Sequence, residues 1–281
     1  MRKLCLILLG LFLFAIIISL LITLSSKSPL RDKVAVVRIE GPMFDSKDAI
    51  EELNKYVEEP SIKAIVIRVD SPGGAVAPAQ EIYEEVKKAV LKKKVVVSMG
   101  SVAASGGYYV SAPATKVVAN PGTLTGSIGV IMEIPNIEGL MNKIGVKTEV
   151  VKSGKYKDMA SAFRKLRDNQ RKILQGVLDD VHEQFIKAVS EGRKIPIEKV
   201  RDMADGRVFT GRQARELGLV DELGNLEDAI NLAATLAGIK GKPEVVTKKD
   251  KFSLLSLLRG NLKEELRDMI PSLNIKYMLM P

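Results

Sequence analysis

The sequence predicts an α/β domain built around a largely parallel sheet. Short β-branched runs alternate with segments whose apolar residues recur at helical spacing. The run "IKAIVIRVDSPGG" ends in a Pro-Gly-Gly turn, which is typical of a strand buried on both faces. Strands that alternate with helices form parallel units joined by right-handed crossovers. The chain has 281 residues, of which 46% are hydrophobic, and this is enough for a substantial core.

Periodicity places the elements in order along the chain. In the first half we expect strands at 34–41, 62–74, 94–101 and 115–119, and helices at 45–59, 78–94 and 104–114. A turn at 120–130 is followed by a predicted helix at 134–145, a strand at 146–154, a long helix from about 160 to 192 and two shorter helices. The simplest division is an anchor at 1–24, a tether at 25–33, a soluble domain at 34–240 and an amphipathic tail at 241–281.

The N-terminus predicts a transmembrane helix. Residues 4–24 carry no charge, and at about 1.5 Å per residue they span roughly 30 Å of hydrocarbon. The segment "TLSSKSPL" at its end offers no A-x-A-like cleavage site, so we expect an uncleaved anchor. Basic residues flank the run on both sides, and the positive-inside rule therefore does not decide its orientation.

Composition excludes several classes of function. The net charge of +9 comes from Lys and Arg scattered among Asp and Glu, which favours solubility and attraction to anionic lipid over nucleic-acid binding. Cys5 is the only cysteine, which excludes an intrachain disulfide framework and a cysteine zinc site. His182 is the only histidine, which excludes a centre with several histidine ligands in one chain. We therefore expect neither a cofactor nor a metal.

Three turns of small residues follow predicted strands, at 70–74, 100–107 and 121–129. Because ligands bind at the carboxyl ends of strands in open α/β sheets, these turns are candidate site segments. Ser105 lies in "AASGG" at a helix start, where backbone N–H groups of Gly106 and of the glycines at 73 and 74 could bind an oxyanion. Ala103 stands where a G-x-S-x-G elbow needs glycine. From these residues alone, both a packing role and a nucleophilic role for Ser105 remain open.

A serine nucleophile needs a general base. His182 lies in the middle of a predicted helix among charged neighbours, which is typical of a surface or packing residue. Lysine is the other candidate, provided that its amine is uncharged. The segment "VKSGKYKDMAS" carries Lys152, Lys155 and Lys157, and composition and spacing do not choose among the three.

At these residues the sequence resembles the signal peptide peptidase A family, in its short single-domain form. The resemblance covers roughly residues 34–238 and is carried, in family order, by "RVDSPGG", "VSMGSVAASGGYYVSA", "GTLTGSIGVI", "VVKSGKYKD" and "RVFTGRQARELGLVDELG". It implies a fold of the ClpP/crotonase type, made of stacked ββα units. It also implies these site residues: Ser105 as nucleophile, Lys157 as general base, Ser127 as the residue that positions the lysine, and Gly74 and Gly106 as oxyanion-hole N–H donors.

The resemblance further implies a function and an assembly. The expected protein is a membrane-anchored serine endopeptidase that uses a Ser–Lys dyad on cleaved signal peptides and other short apolar peptides, with its protease domain outside the cytoplasm. Family members form rings, octameric in the short form, in which the lysine reaches the serine of a neighbouring protomer. The alternatives are an acyl-CoA enzyme of the crotonase type, a stomatin-operon-type membrane serine protease, and an inactive ring-forming scaffold. The tail could also bind in its own protein's cleft as an inhibitor.

Overall fold

A computed structural model of the chain describes residues 14, 16, 32–248 and 275–278, the last four by their backbone. Nearly all of the predicted anchor and tether therefore lies outside the described residues. Within the residues that are described, no helix has both the length and the apolarity needed to cross a bilayer.

Most strands of the domain belong to one mixed sheet. Its main path runs in the order β10-β1-β2-β4-β5-β9, and all neighbours along this path are parallel. β6 pairs parallel with the end of β4, and β8 pairs antiparallel with β6. The strands of this sheet are β1 (Lys33–Glu40), β2 (Ile62–Ser71), β4 (Lys94–Ala104), β5 (Lys116–Ala119), β6 (Leu124–Gly126), β8 (Val208–Thr210), β9 (Glu222–Leu223) and β10 (Glu244–Thr247).

A second, smaller sheet of three strands lies beside the first. Its order is β3-β11-β7, and β11 pairs antiparallel with both neighbours. The strands are β3 (Gly73–Ala75), β7 (Ile131–Met132) and β11 (Ile275–Met278).

Eight helices within residues 32–248 accompany the sheets. They are α1 (Lys47–Glu58), α2 (Val76–Lys92), α3 (Gly106–Ser111), α4 (Glu138–Lys143), α5 (Asp168–Arg193), α6 (Ile197–Met203), α7 (Gly211–Glu216) and α8 (Leu226–Leu236).

The main sheet is covered on both faces, which explains the long apolar runs of its central strands. On one face, β1, β2 and β4 pack with helices α1, α2, α3 and α5 in the larger core. On the other face, α8 covers the alternate residues of the same strands, among them Val34, Val66 and Val96. A strand with apolar contacts on both sides needs no polar alternation. The predicted α/β class with a mainly parallel sheet is confirmed.

Two predicted elements differ from the structure. Residues 146–154 form no strand, and Val150 and Val151 are 51% and 101% exposed. β-branched residues favour a strand only where a neighbouring strand and a packing surface are available, and the chain offers this segment neither. The long helix begins at Asp168 rather than near 160. The structure also adds β6 inside the predicted turn and β10 beyond residue 240.

Candidate active site

The three small-residue turns meet at the carboxyl ends of adjacent strands. Ser71 at the end of β2 lies in register with Ala103 of β4, and Ala104 lies in register with Gly126 of β6. The turns that follow these strands therefore lie at the same edge of the sheet, because neighbouring parallel strands end at a common edge.

Ser105 has a strained backbone at the centre of this edge. It lies between β4 and α3 with φ 53° and ψ −116°, outside the regions that residues with a side chain normally adopt. Its N–H donates to the Gly126 carbonyl at 2.8 Å, and its carbonyl accepts from the Tyr109 N–H at 2.8 Å. The side chain is 1% exposed. Neighbouring backbone groups thus hold Ser105 in this conformation against a cost of about 1–3 kcal/mol.

Ser127 shares this unusual geometry. Its φ is 50°, and it follows Gly126, the residue that holds the Ser105 backbone. Its N–H donates to the Arg207 carbonyl at 2.9 Å, and its side chain is 8% exposed. Within the described part of the chain, three residues other than glycine have positive φ, and two of them are these serines. The structure therefore places both predicted serines on adjoining, constrained turns.

Gly74 is held by close contact with Met43. The Met43 N–H donates to the Gly73 carbonyl at 2.8 Å, and the Ala75 N–H donates to the Met43 carbonyl at 2.7 Å. Successive residues of a strand direct their backbone groups to alternate edges. The N–H and C=O of Gly74 therefore point away from Met43, toward the edge of β3 that pairs with β11. A Cβ at Gly74 would lie 2.0 Å from the Met43 oxygen, so only glycine fits.

Close packing between α3 and the end of β2 positions Gly106. A Cβ at Gly107 would lie 2.6 Å from the Ser71 carbonyl oxygen, so the absent side chain lets the helix approach the turn that carries Gly74. Gly106 is the first residue of α3 and follows Ser105 directly. The two predicted oxyanion donors thus lie on elements that are packed against each other.

Three further residues hold these turns, and sequence reasoning did not single them out. The Thr123 and Thr125 hydroxyls donate to the carbonyls of Gly100 and Ala103, each at 2.7 Å. The Ser71 hydroxyl accepts from the Gly73 N–H at 3.1 Å. Small polar residues beside glycines were the available signal, but many surface turns have the same composition.

Buried aromatic residues attach α3 to the rest of the domain. The Tyr108 hydroxyl donates to the Leu219 carbonyl at 2.9 Å, and burial raises the pKa of Tyr108. The Tyr109 ring packs against Tyr83 and Phe185, with centroids 4.9 Å apart in each pair. These contacts fix the helix whose start carries Ser105.

The structure distinguishes the three candidate lysines. The Lys152 ammonium forms an ion pair with Asp158. The Lys155 ammonium lies over the Tyr156 ring, 5.4 Å from its centroid. Lys157 is exposed, and its amine has neither an ion pair nor a hydrogen bond to any other described residue. Of the three, Lys157 is therefore the one whose amine is not already engaged.

Hydrogen bonds from Arg164 hold the loop that carries Lys157. The Arg164 guanidinium donates to the Asp158 carboxylate at 3.0 Å, to the Asp158 carbonyl at 2.7 Å and to the Gln170 side chain at 3.0 Å. Hydrogen bonds from Lys152 and Arg164 lower the pKa of Asp158 to about 2. Asp158 therefore stays ionised at neutral pH and ties the loop to the start of α5.

Within one chain, the structure does not join Lys157 to Ser105. No hydrogen bond between described residues connects the Lys157 amine with Ser105 or Ser127. His182 lies half-buried within α5, and no hydrogen bond of the described part links it to Ser105. The described residues also include no cluster of three or more His, Cys, Asp or Glu side chains suited to a metal ion.

Comparison with known proteins identifies the family. The model of peptidase family S49 matches residues 87–240, and that of Clp protease matches residues 30–123. A Synechocystis protein named as a protease is 45% identical over 83% of this chain and 85% of its own length. An Enterococcus faecium protein named as a signal peptide peptidase SppA is 34% identical over 78% of this chain and 64% of its own length.

A plant relative shows the same similarity over a smaller share of its length. The chloroplastic serine protease SPPA of Arabidopsis thaliana is 34% identical over 82% of this chain, which corresponds to 36% of the plant protein. The chain thus spans less than two thirds of the Enterococcus and Arabidopsis proteins. The S49 match covers more than half of the chain, and the Clp match agrees with its α/β architecture. The chain belongs to peptidase family S49, a family of serine peptidases.

Proposed function

We propose that the chain is a membrane-anchored serine endopeptidase in which Ser105 and Lys157 form a Ser–Lys dyad. The observation that carries the proposal is the positive-φ backbone of Ser105, at the edge where three glycine turns meet. Backbone strain of this kind persists where the surrounding structure holds a functional group in place. Membership of family S49 supplies peptide hydrolysis as the reaction. The dyad, the anchor and the substrate class are our inference.

The proposed reaction is acyl transfer followed by hydrolysis. The uncharged Lys157 amine takes the hydroxyl proton of Ser105 while Oγ attacks the peptide carbonyl carbon. The N–H groups of Gly74 and Gly106 donate to the oxygen that becomes negatively charged. The resulting ammonium returns the proton to the leaving amine as the C–N bond breaks. A water molecule, deprotonated by the same amine, then releases the acyl group from Ser105.

Ser127 has a positioning role in this scheme. It lies beside the residue that holds the Ser105 backbone, and its own backbone is fixed by Arg207. A hydroxyl there can accept a hydrogen bond from an incoming lysine and direct the free electron pair of the amine toward Ser105. This role requires Lys157 to approach from outside the turn.

In an assembly, Lys157 of a second copy of the chain can approach Ser105 and Ser127 from outside the turn. Lys157 is exposed in one chain, so its amine is surrounded by water there. The segment around it also exposes apolar side chains, among them Leu140 at 58%, Ile144 at 61% and Val151 at 101%. Exposed apolar surface of this kind suits a protein interface. We therefore place Lys157 opposite Ser105 of a neighbouring protomer in a ring, where contact removes water from the amine.

The sequence supports a substrate class. Residues 4–24 are uncharged and long enough to span a bilayer, which would hold the catalytic edge near the membrane. A peptidase in that position meets the short apolar segments that remain after signal peptides are cleaved. An extended peptide can bind by pairing as a strand with the edge of β3 at which β11 pairs. Signal-peptide remnants are the substrates that we propose, with the protease domain outside the cytoplasm.

Peptidase assays on single variants test the dyad. Ser105→Ala and Lys157→Ala should each lower kcat/KM on an unstructured peptide by at least about 10³-fold, because each removes a reacting group. Lys155→Ala is the matched control, since its amine is engaged with Tyr156 in the same loop, and it should retain activity. Full activity in either of the first two variants would disprove the dyad.

Mixed assemblies test whether the dyad crosses the subunit interface. Subunits carrying Ser105→Ala keep Lys157, and subunits carrying Lys157→Ala keep Ser105. If the lysine acts on a neighbouring protomer, co-assembly of the two inactive variants should restore activity, because some interfaces then contain both groups. A mixture that stays inactive, although mass spectrometry shows mixed particles, would place the dyad within one chain.

A further inference from the structure

A bulge interrupts the pairing of β4 with β2 just before the active-site turn. The two strands pair in regular register as far as Val69 and Met99, and the next pair along is Ser71 with Ala103. Between these two pairs β2 has one residue, Asp70, whereas β4 has three. Extra residues of this kind leave backbone groups without a partner in the ladder, and they are frequent beside active sites.

The bulge sets how far Ser105 reaches along the sheet. If the regular pairing continued, Ser71 would stand opposite Ser101 rather than Ala103. The two extra residues therefore draw the following chain back by about 6.6 Å, at about 3.3 Å for each residue of a parallel strand. Because the shift is an even number of residues, each side chain keeps its face of the sheet. Ser105 thus lies two residues beyond Ser71 instead of four, level with the start of the glycine turn at 73–74.

The Asp70 carboxylate contacts both ends of the bulge. Its Oδ1 accepts a hydrogen bond from the Val102 N–H at 3.1 Å, and it thereby provides an acceptor for a residue that has no partner residue in β2. The same carboxylate lies against Gly100, where a Cβ would be 2.4 Å from Cγ and 2.5 Å from Oδ2 of Asp70. The main chain of Asp70 is fixed as well, because its carbonyl accepts from the Gly41 N–H at 3.0 Å.

Hydroxyl groups hold the bulge from the opposite side. Thr123 and Thr125 donate to the carbonyls of Gly100 and Ala103, each at 2.7 Å, and both threonines belong to β6 or directly precede it. The side chain of Asp70 is the contribution from β2. Because β2 leads into the turn of Gly74, this carboxylate relates the position of the nucleophile to the position of the oxyanion donor.

We propose that Asp70 is a positioning residue for the nucleophile, and that its carboxylate holds the β4 bulge at the length that sets Ser105 beside Gly74. The inference rests on the proposed function for the role of Ser105, but the state of the bulge can be measured without catalysis. Asp70 acts through the Val102 backbone rather than on the substrate. The role requires the acceptor oxygen and the shape of the side chain, and it does not require the negative charge.

Two substitutions at Asp70 separate positioning from charge. Asparagine has the same shape and keeps an acceptor oxygen, whereas alanine leaves the Val102 N–H unpaired. Since a misplacement of about 1 Å costs about 10²-fold in rate, Asp70→Ala should lower kcat and the rate of Ser105 labelling by a fluorophosphonate by about that factor. Asp70→Asn should stay within about threefold of the native rates, with an unchanged pH profile, because it retains the hydrogen bond. If Asp70→Asn loses as much as Asp70→Ala, the charge is what matters and the inference fails.

Gly100→Ala disturbs the same contact from the other strand. The new Cβ would lie 2.4–2.7 Å from three atoms of the Asp70 side chain, so the carboxylate has to shift away from Val102. This variant leaves the carboxylate chemically intact, and it should still slow the labelling of Ser105 by about 10²-fold. Gly176→Ala, whose Cβ meets no atom within 4 Å, is the matched control and should label at the native rate. Native labelling in Gly100→Ala would contradict the inference.

A loss of stability alone should not slow the labelling. The Ser98 hydroxyl accepts from the Arg68 guanidinium at 3.0 Å, and these two residues are paired in the regular part of β2 and β4. Ser98→Ala should therefore lower the urea midpoint, as Asp70→Ala does, while Ser105 is labelled at the native rate. Circular dichroism under the assay conditions confirms that each variant is folded. If Ser98→Ala slows labelling as strongly as Asp70→Ala, general destabilisation explains both results and the inference fails.

Hydrogen exchange separates this inference from the proposed function. In a Ser105→Ala background, Asp70→Ala should make the Val102 amide exchange at least about tenfold faster, because no acceptor protects it, while the Val96 and Val97 amides of the same strand keep their rates. Faster exchange without any peptidase activity in the native chain would refute the proposed function and leave the hold on the bulge standing. Normal peptidase activity, with either Val102 exchange or Ser105 labelling unaltered by Asp70→Ala, would refute the role of Asp70 alone.

Discussion

The contact between Gly74 and Met43 makes the oxyanion donor sensitive to a single methyl group. In Gly74→Ala, the new Cβ would lie 2.0 Å from the Met43 oxygen and 2.5 Å from its carbonyl carbon. Both obstacles are backbone atoms, so no side-chain rotation relieves the clash. Ordinary contact between these atoms needs at least about 3 Å, so one strand must move by about 1 Å.

A displacement of this size should reduce both catalysis and stability. A misplacement of about 1 Å at a catalytic group costs about 10²-fold in rate, which corresponds to roughly 2.7 kcal/mol in the barrier. Overpacking of this kind destabilises a fold by about 1–3 kcal/mol. We therefore expect Gly74→Ala to fold, to unfold at a lower urea concentration and to lose about 10²-fold in kcat/KM on a peptide substrate.

Gly176→Ala is the matched control for this prediction. Gly176 lies in α5, and a Cβ there meets no atom within 4 Å. Because alanine favours a helix by about 1 kcal/mol over glycine, this variant should be slightly more stable and fully active. Native kcat/KM in Gly74→Ala would show that the Gly74 N–H does not bind the oxyanion.

Three further predictions follow from the described contacts. Peptidase activity should rise with pH, because the proposed general base accepts a proton only as an uncharged amine, and a flat profile from mildly acid to alkaline pH would count against Lys157 in that role. Asp158→Asn should make the loop that carries Lys157 more sensitive to protease. Because the pKa of Asp158 is lowered to about 2, the native loop should keep its protection from pepsin down to about pH 4 and lose it as the pH falls through about 2. Tyr108→Phe should cost about 1–3 kcal/mol of unfolding free energy in urea, because it leaves the buried Leu219 carbonyl unpaired, while kcat of the folded protein stays unchanged; an unaltered urea midpoint would contradict this.

The central strands could be predicted because apolar contacts cover both of their faces. Residues 62–71 are apolar on both faces, and the structure buries both faces beneath helices. The prediction of a strand at 146–154 was wrong, because β-branched residues form a strand only where a neighbouring strand and a packing surface are available. Nothing in that stretch of sequence says that its neighbours would leave it exposed.

The position of the site in the fold could be predicted from the sequence better than the contacts within the site. Three glycine turns after three strands had to meet once the strands were parallel, and the family motifs selected Ser105 among their residues. The role of Met43 could not be foreseen, because it lies 31 residues from Gly74 and its contact is made through backbone alone. The pairing of β11 with β3 joins segments about 200 residues apart, and neither sequence carries a periodic signal for it.

The account depends most on the nucleophilic character of Ser105 and its dependence on the Lys157 amine. The most direct measurement is the rate at which a fluorophosphonate modifies the full-length protein, with the modified residue identified by peptide mass spectrometry. We predict one adduct, on Ser105, formed at a rate that rises with pH and falls at least about 10²-fold in Lys157→Ala. An adduct on another serine, or an unchanged rate without Lys157, would contradict the account.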